Sequence, residues 1–143
     1  MKKLTFIAII DDDPITVFGI KKILKMTVDV HQIVSYENGE IALEELSKIA
    51  KSNGLLPDMI FLDINMPIMD GYQFLEGFIE LPIGRDINID IMTSSIDPYD
   101  KNKCLQFVNR TNHKVTFNNK PLDIESMTKI INQSNKNTVI SSK

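Results

Sequence analysis

The chain has 143 residues, enough for one domain of ordinary size, and its 43% hydrophobic and 24% charged residues exclude a fibrous or wholly disordered polypeptide. The net charge of −3 is spread along the chain with no dense basic stripe, which argues against nucleic acid as a direct partner. Cys104 is the single cysteine and no CxxC or Cys/His spacing accompanies it, as expected for a reducing, cytoplasmic compartment.

The first element is the apolar run Leu4 to Ile10. It is too short for a membrane span, contains Thr5, and runs straight into Asp11-Asp12-Asp13, so it reads as a strand covered on both faces rather than a signal peptide. Asp13-Pro14 then supplies an N-cap and a proline at the first helical position. The helix that follows is expected to reach about Met26, with Ile15, Phe18, Ile23 and Met26 at helical spacing. Val30 to Val34 is a second strand, placed at an edge by His31 and Gln32. Asn38-Gly39 opens an amphipathic helix with Ala42, Leu46, Ile49 and Ala50 on one face, and Asn53-Gly54 ends it.

Met59 to Leu62 is a third, fully apolar strand, followed by a loop with Met66-Pro67 and a helix from Gly71 to about Ile79. Ile87 to Met92 gives a fourth strand, Pro98 to Val108 a helix, Val115 to Phe117 a short fifth strand, and Asp123 to Gln133 a last helix. One domain over 1–134 with a polar, frayed tail over 135–143 is expected. Five strands alternating with five helices imply a parallel, doubly wound α/β sheet, because right-handed crossovers place helices on both faces.

In such sheets ligands bind beyond the carboxyl ends of the strands. Asp11, Asp12 and Asp13 end the first strand, Asp63 the third, Thr93 and Ser94 the fourth, and Lys120 follows the fifth. Carboxylates brought together there repel, by roughly 4 kcal/mol per pair about 4 Å apart at an effective dielectric of about 20. A hard divalent cation with oxygen ligands relieves this, and Mg²⁺, which keeps waters for substrate oxygens, suits the set. The Lys120 ammonium is a second counter-charge and the Thr93 hydroxyl a donor to an incoming oxyanion. Asp63, the sole carboxylate at the tip of the central strand, is the candidate nucleophile for a phosphoryl group, with Asp11 and Asp12 holding the metal.

Four segments carry a family resemblance: Ile9-Ile10-Asp11-Asp12-Asp13-Pro14, Phe61 through Gly71 (FLDINMPIMDG), Met92-Thr93-Ser94-Ser95 and Asn119-Lys120-Pro121. In order and spacing they resemble the signatures of response-regulator receiver domains, over roughly Lys3 to Gln133. The resemblance implies a flavodoxin-like (βα)5 fold with strand order 2-1-3-4-5 and a signalling switch rather than an enzyme. It implies that Asp63 accepts a phosphoryl group from a histidine kinase or a histidine phosphotransfer protein. Asp12 and Asp63 would ligate Mg²⁺ directly, Asp11 through water, and the Asn65 backbone carbonyl would complete the protein ligands. Thr93 would contact a phosphoryl oxygen, Lys120 would pair with the phosphate, and Phe117 would be the aromatic that changes rotamer with Thr93. Lys120-Pro121 would be a cis peptide.

The sequence departs from the common pattern at three positions. Phe117 lacks the hydroxyl of the tyrosine found in many members, Ser94 replaces a small apolar residue, and Asp90 interrupts the fourth strand. Burying Asp90 unpaired is costly, so it is expected to reach solvent or a partner near the fourth-helix face. With no output domain after the last helix, the switch is expected to act on an unknown protein target, through the surface of the fourth helix, fifth strand and fifth helix, or to pass its phosphoryl group on. Two other readings compete. A pseudo-receiver would bind partners without phosphate, and a phosphohydrolase of the haloacid dehalogenase type would use Asp11-x-Asp13 with a first-strand nucleophile. His31 and His113 read as structural or surface residues and Cys104 as core.

Overall fold

In the computed structural model, which describes residues 2–120 and 122–141 except for the side chains of 2–5 and 133–141, strands and helices alternate strictly. They are β1 (Lys2–Ile10), α1 (Pro14–Thr27), β2 (Val28–Tyr36), α2 (Gly39–Lys51), β3 (Met59–Asp63), α3 (Gly71–Phe78), β4 (Asn88–Thr93), α4 (Pro98–Val108), β5 (Lys114–Asn119) and α5 (Ile124–Ser141). The strands form one parallel sheet in the order β2-β1-β3-β4-β5, a flavodoxin-like α/β fold.

The two central strands are the two most apolar runs, and the residues from Phe6 to Ile10 and from Met59 to Asp63 are all buried. Alternation along each strand divides the core. Ile7, Ile9, Met59 and Phe61 pack with Ile20 and Leu24 of α1 and Met127, Ile130 and Ile131 of α5. Ala8, Ile10, Ile60 and Leu62 face the other way, against Leu46 of α2, Phe74 and Phe78 of α3, and Cys104 and Phe107 of α4. Each such side chain contributes roughly 1.5–3 kcal/mol on burial, so the sheet is stable only with helices on both faces.

The same register assembles the rim. Ile9 pairs with Phe61 and Ile10 with Leu62, so Asp11 and Asp63 leave their strands at one level. Asp63 pairs with Met92 and Thr93 with Asn119, which brings Thr93 and then Lys120 to that level.

The observed α1 differs from the expected one in the face it buries. Ile15, Phe18 and Met26 are 81%, 69% and 57% exposed, whereas Ile20 and Leu24 are buried and Val17 and Ile23 half-buried. The helix is apolar nearly all round at its start, and spacing alone does not choose among its stripes. β1 and β2 are longer than expected because α1 passes directly from Thr27 into Val28, which lets Lys2 pair with Val28 beyond the end of β3. β4 and β5 also run further, to Thr93 and Asn119, and α5 continues past Gln133 to Ser141. The expected Lys120-Pro121 cis peptide lies outside the described residues.

Asp90 corrects a second expectation. It is 3% exposed and does not reach solvent. Its neighbours Ile89 and Ile91 belong to the α4 side of the sheet and Met92 to the opposite side, so strand alternation turns Asp90 away from α4. The partner it finds is the Thr116 hydroxyl of β5, which donates to Asp90 Oδ1, while Oδ2 has none.

Candidate functional site

One backbone bond and then side-chain turns arrange the acidic residues that follow β1. The Asp11 N–H donates to Tyr36 O at 3.1 Å, which fixes the end of β1 against β2. The chain then turns on the side chains themselves, as Asp11 Oδ1 accepts from the Asp13 N–H at 2.9 Å. Asp13 points the other way: its carboxylate accepts from the Ile15 N–H and the Thr16 hydroxyl, both at 3.0 Å, and caps α1. That removes Asp13 from the site and leaves the Asp11-x-Asp13 phosphohydrolase reading without its second carboxylate.

One carboxylate oxygen from each of Asp11, Asp12 and Asp63 lies within 4.8 Å of the others, with Asp11 and Asp63 buried and Asp12 exposed. Lys120 Nζ donates to Asp11 Oδ2 at 2.9 Å and lies 3.3 Å from Asp63 Oδ1. Burial, and then the charge of Asp11, push the Asp63 carboxyl up to about 6 against the opposing pull of Lys120. Burial works to lower the Lys120 ammonium, but the hydrogen bond and charge of Asp11, with those of Asp63, outweigh it and raise it. One ammonium thus leaves three carboxylates under-compensated. The missing charge, the oxygen-only donor set and the open side at Asp12 fit a hard divalent cation.

The β3–α3 loop is drawn tightly against the site. The Gly71 N–H donates to Ile64 O at 2.8 Å, and a Cβ at Gly71 would stand 2.6 Å from Asp63 O and 2.9 Å from Ile64 Cα. Glycine is required there by close approach of two backbones, a reason the sequence alone did not reveal. Asp70 caps α3 in a reciprocal capping box with Gln73. Ile68, 73% exposed, has φ 70, and the Met69 N–H reaches Pro67 O across it at 2.7 Å. A β-branched residue there is strained. Asn65, in the same loop, is exposed.

Thr93 ends β4 with 0% exposure, and its hydroxyl oxygen accepts from the Ser95 N–H at 3.0 Å. Ser95 Oγ accepts from the Asp97 N–H and Asp97 from the Tyr99 N–H, which caps α4. Two bonds reach this run from the end of β5, Lys120 N–H to Thr93 O and Asn119 Nδ2 to Ser95 O, each 2.8 Å. Asn119 entered the sequence reading only as part of Asn119-Lys120-Pro121, with no role of its own. Phe117 is half-buried against the α2–α3–α4 side of the core. His31 is exposed. His113 is buried, with Nδ1 accepting from the Ile87 N–H at 2.9 Å, and Cys104 is buried in the core.

Comparison with known proteins agrees with this geometry. The family model for the response regulator receiver domain matches residues 7–132. The nitrate/nitrite response regulator NarL of Escherichia coli K12 is 39% identical over 70 residues, 49% of this chain and 30% of that protein. A protein-glutamate methylesterase/protein-glutamine glutaminase of Methanococcoides burtonii is 27% identical over 128 residues, 87% of this chain and 32% of that protein. The chain thus spans about a third of the length of these relatives. A two-component response regulator from Cytophaga hutchinsonii superposes with a TM-score of 0.78 at 26% identity, over 94% of this chain and 99% of that one. A Legionella pneumophila response regulator gives 0.74 at 24% identity, over 92% and 98%. With the family model spanning most of its length and the acidic pocket in place, the chain belongs to the response regulator receiver domain family.

Proposed function

We propose that this domain is a phosphoacceptor switch of a two-component relay, in which Asp63 takes a phosphoryl group from a phosphohistidine of a histidine kinase or a histidine phosphotransfer protein. The observation that carries the reading is the convergence of Asp11, Asp12 and Asp63 on one point with the Lys120 ammonium between Asp11 and Asp63. An Asp63 oxygen attacks phosphorus, the P–N bond to the donor imidazole breaks with its electron pair going to nitrogen, and an acyl phosphate remains on Asp63.

Asp12 and Asp63 would hold Mg²⁺ directly, Asp11 through water, and the Asn65 carbonyl would complete the set. The ion supplies charge neutralisation for the transferred oxygens. Lys120 pairs with the phosphoryl group once Asp63 no longer carries a free carboxylate. Thr93 donates to one phosphoryl oxygen, and Phe117 follows its movement. A protein donor is supported by the rim itself, where exposed Ile15 lines a groove with Gly19, Ile23, Leu122 and Lys120, and exposed Phe18 lines another with Asp11 and Asp12. The same setting implies a cytoplasmic location, and no helix among the described residues is long and apolar enough to cross a membrane.

Incubation with acetyl phosphate and Mg²⁺ should add one phosphoryl mass to the wild-type chain and none to Asp63→Asn. A mass gain that persists in the variant would refute Asp63 as acceptor, and a wild type that gains none would refute the reading as a whole.

A further inference from the structure

Among the groups around Asp63, Thr93 is the one whose side chain is tied into its own loop. It has 0% exposure, and its oxygen already accepts the Ser95 N–H. That bond leaves the hydroxyl proton free to donate but fixes the oxygen within the backbone run that follows β4, so moving the hydroxyl toward an oxygen arriving on Asp63 moves that run with it. That backbone heads the three successive turns through Ser95, Asp97 and Tyr99, each closed by a side chain accepting the N–H two residues on. Such turns are local and individually weak, so the position of the run is set by what holds it from outside.

The hold comes from the end of β5. The bond from Lys120 N–H to Thr93 O continues the main-chain ladder and asks nothing of side-chain identity. The bond from Asn119 Nδ2 to Ser95 O does, since it needs a short side chain with a donor, opposite Thr93 in the register and one residue before Lys120. It ties the loop after Thr93 to the strand that delivers the phosphate-facing lysine.

We infer that Asn119 is a positioning residue of the switch: its amide latches the Ser95 carbonyl to the end of β5 and holds Thr93 in its covered arrangement until a phosphoryl group on Asp63 draws the hydroxyl out. The inference rests on the phosphoacceptor reading above and adds to it a restraint built by this chain's own residues. The latch is a single neutral hydrogen bond, so its loss should shift the balance between covered and engaged Thr93 by roughly two- to tenfold. A merely structural asparagine at a strand end would alter folding stability and leave that balance alone.

The test compares wild type with Asn119→Leu, which keeps the shape and removes the donor, and with Asn119→Ala. Each is followed for mass gain with acetyl phosphate, for the Mg²⁺ concentration giving half-maximal labelling, and for hydrogen exchange at the Ser95 amide without phosphodonor. Both variants should label roughly two- to tenfold faster than wild type at an unchanged Mg²⁺ midpoint, with faster Ser95 exchange. Labelling at the wild-type rate or slower, or Ser95 exchange that does not change, overturns the latch while Asp63 labelling in wild type stands. A wild type that takes no phosphoryl group removes the phosphoacceptor reading and the latch with it.

Discussion

Replacing Asp90 by asparagine should stabilise the domain at neutral pH and destabilise it slightly in acid. Burial raises the Asp90 carboxyl from 3.8 to about 6, and the Thr116 hydrogen bond and the Lys114 charge oppose that shift without cancelling it. A folded-state value above the unfolded one means that the native chain binds this proton more tightly. The carboxyl therefore costs nothing below the unfolded value of 3.8, and its penalty grows as pH rises through about 6. Roughly two pH units correspond to about 3 kcal/mol, and the side chain is fully buried, so solvent screening does not reduce the figure.

Asparagine keeps an oxygen for the Thr116 hydroxyl but puts N–H groups where Oδ2 now has no partner, which costs about 1–2 kcal/mol. The variant should then be about 1–2 kcal/mol more stable than wild type at pH 7.5 and about 1 kcal/mol less stable near pH 4. Urea unfolding of both proteins across that range measures the difference. Asp63, which titrates in the same window, and His113, whose burial lowers its value, are present in both chains and cancel. A stability difference that stays constant within about 0.5 kcal/mol from pH 4 to 7.5 would show that Asp90 does not carry this penalty.

Two further substitutions probe the β3–α3 loop. Gly71→Ala should force the Asp63 and Ile64 backbone aside, costing about 1–3 kcal/mol and slowing acetyl phosphate labelling at least about tenfold. Gly19→Ala in α1, where an added Cβ meets nothing within 4 Å, should be neutral or stabilising, and equal behaviour of the two variants in urea unfolding and labelling would contradict the close-approach argument. Ile68→Gly should stabilise the domain by about 1 kcal/mol by relieving the φ 70 backbone of an exposed, β-branched residue, and a loss of stability in urea would show that the Ile68 side chain contributes more than its strain costs.

The sequence made legible what is written in runs and punctuation. Leu4 to Ile10 and Met59 to Leu62 announce interior strands because they are almost wholly apolar, and Asp13-Pro14 marks the start of α1 by capping chemistry that is wholly local. The acidic rim was legible for the same reason: once strands are parallel, residues at their carboxyl ends share an edge whatever the details of packing. What stayed hidden depends on which atoms meet across the fold. Ile15 and Phe18 look as apolar as Ile20 and Leu24, and only the position of the sheet decides that the second pair is buried. Gly71 looks like a turn glycine until Asp63 O is found where its Cβ would be, and Asp90 looks misplaced until Thr116 is found beside it. Asn119 belongs to this group, since the carbonyl it holds lies 24 residues away in the chain. Gly71 and Asn119 both stand inside the quoted segments, yet what each does is set by backbone it meets across the fold: Gly71 sets how closely α3 approaches Asp63, and Asn119 holds the Ser95 carbonyl.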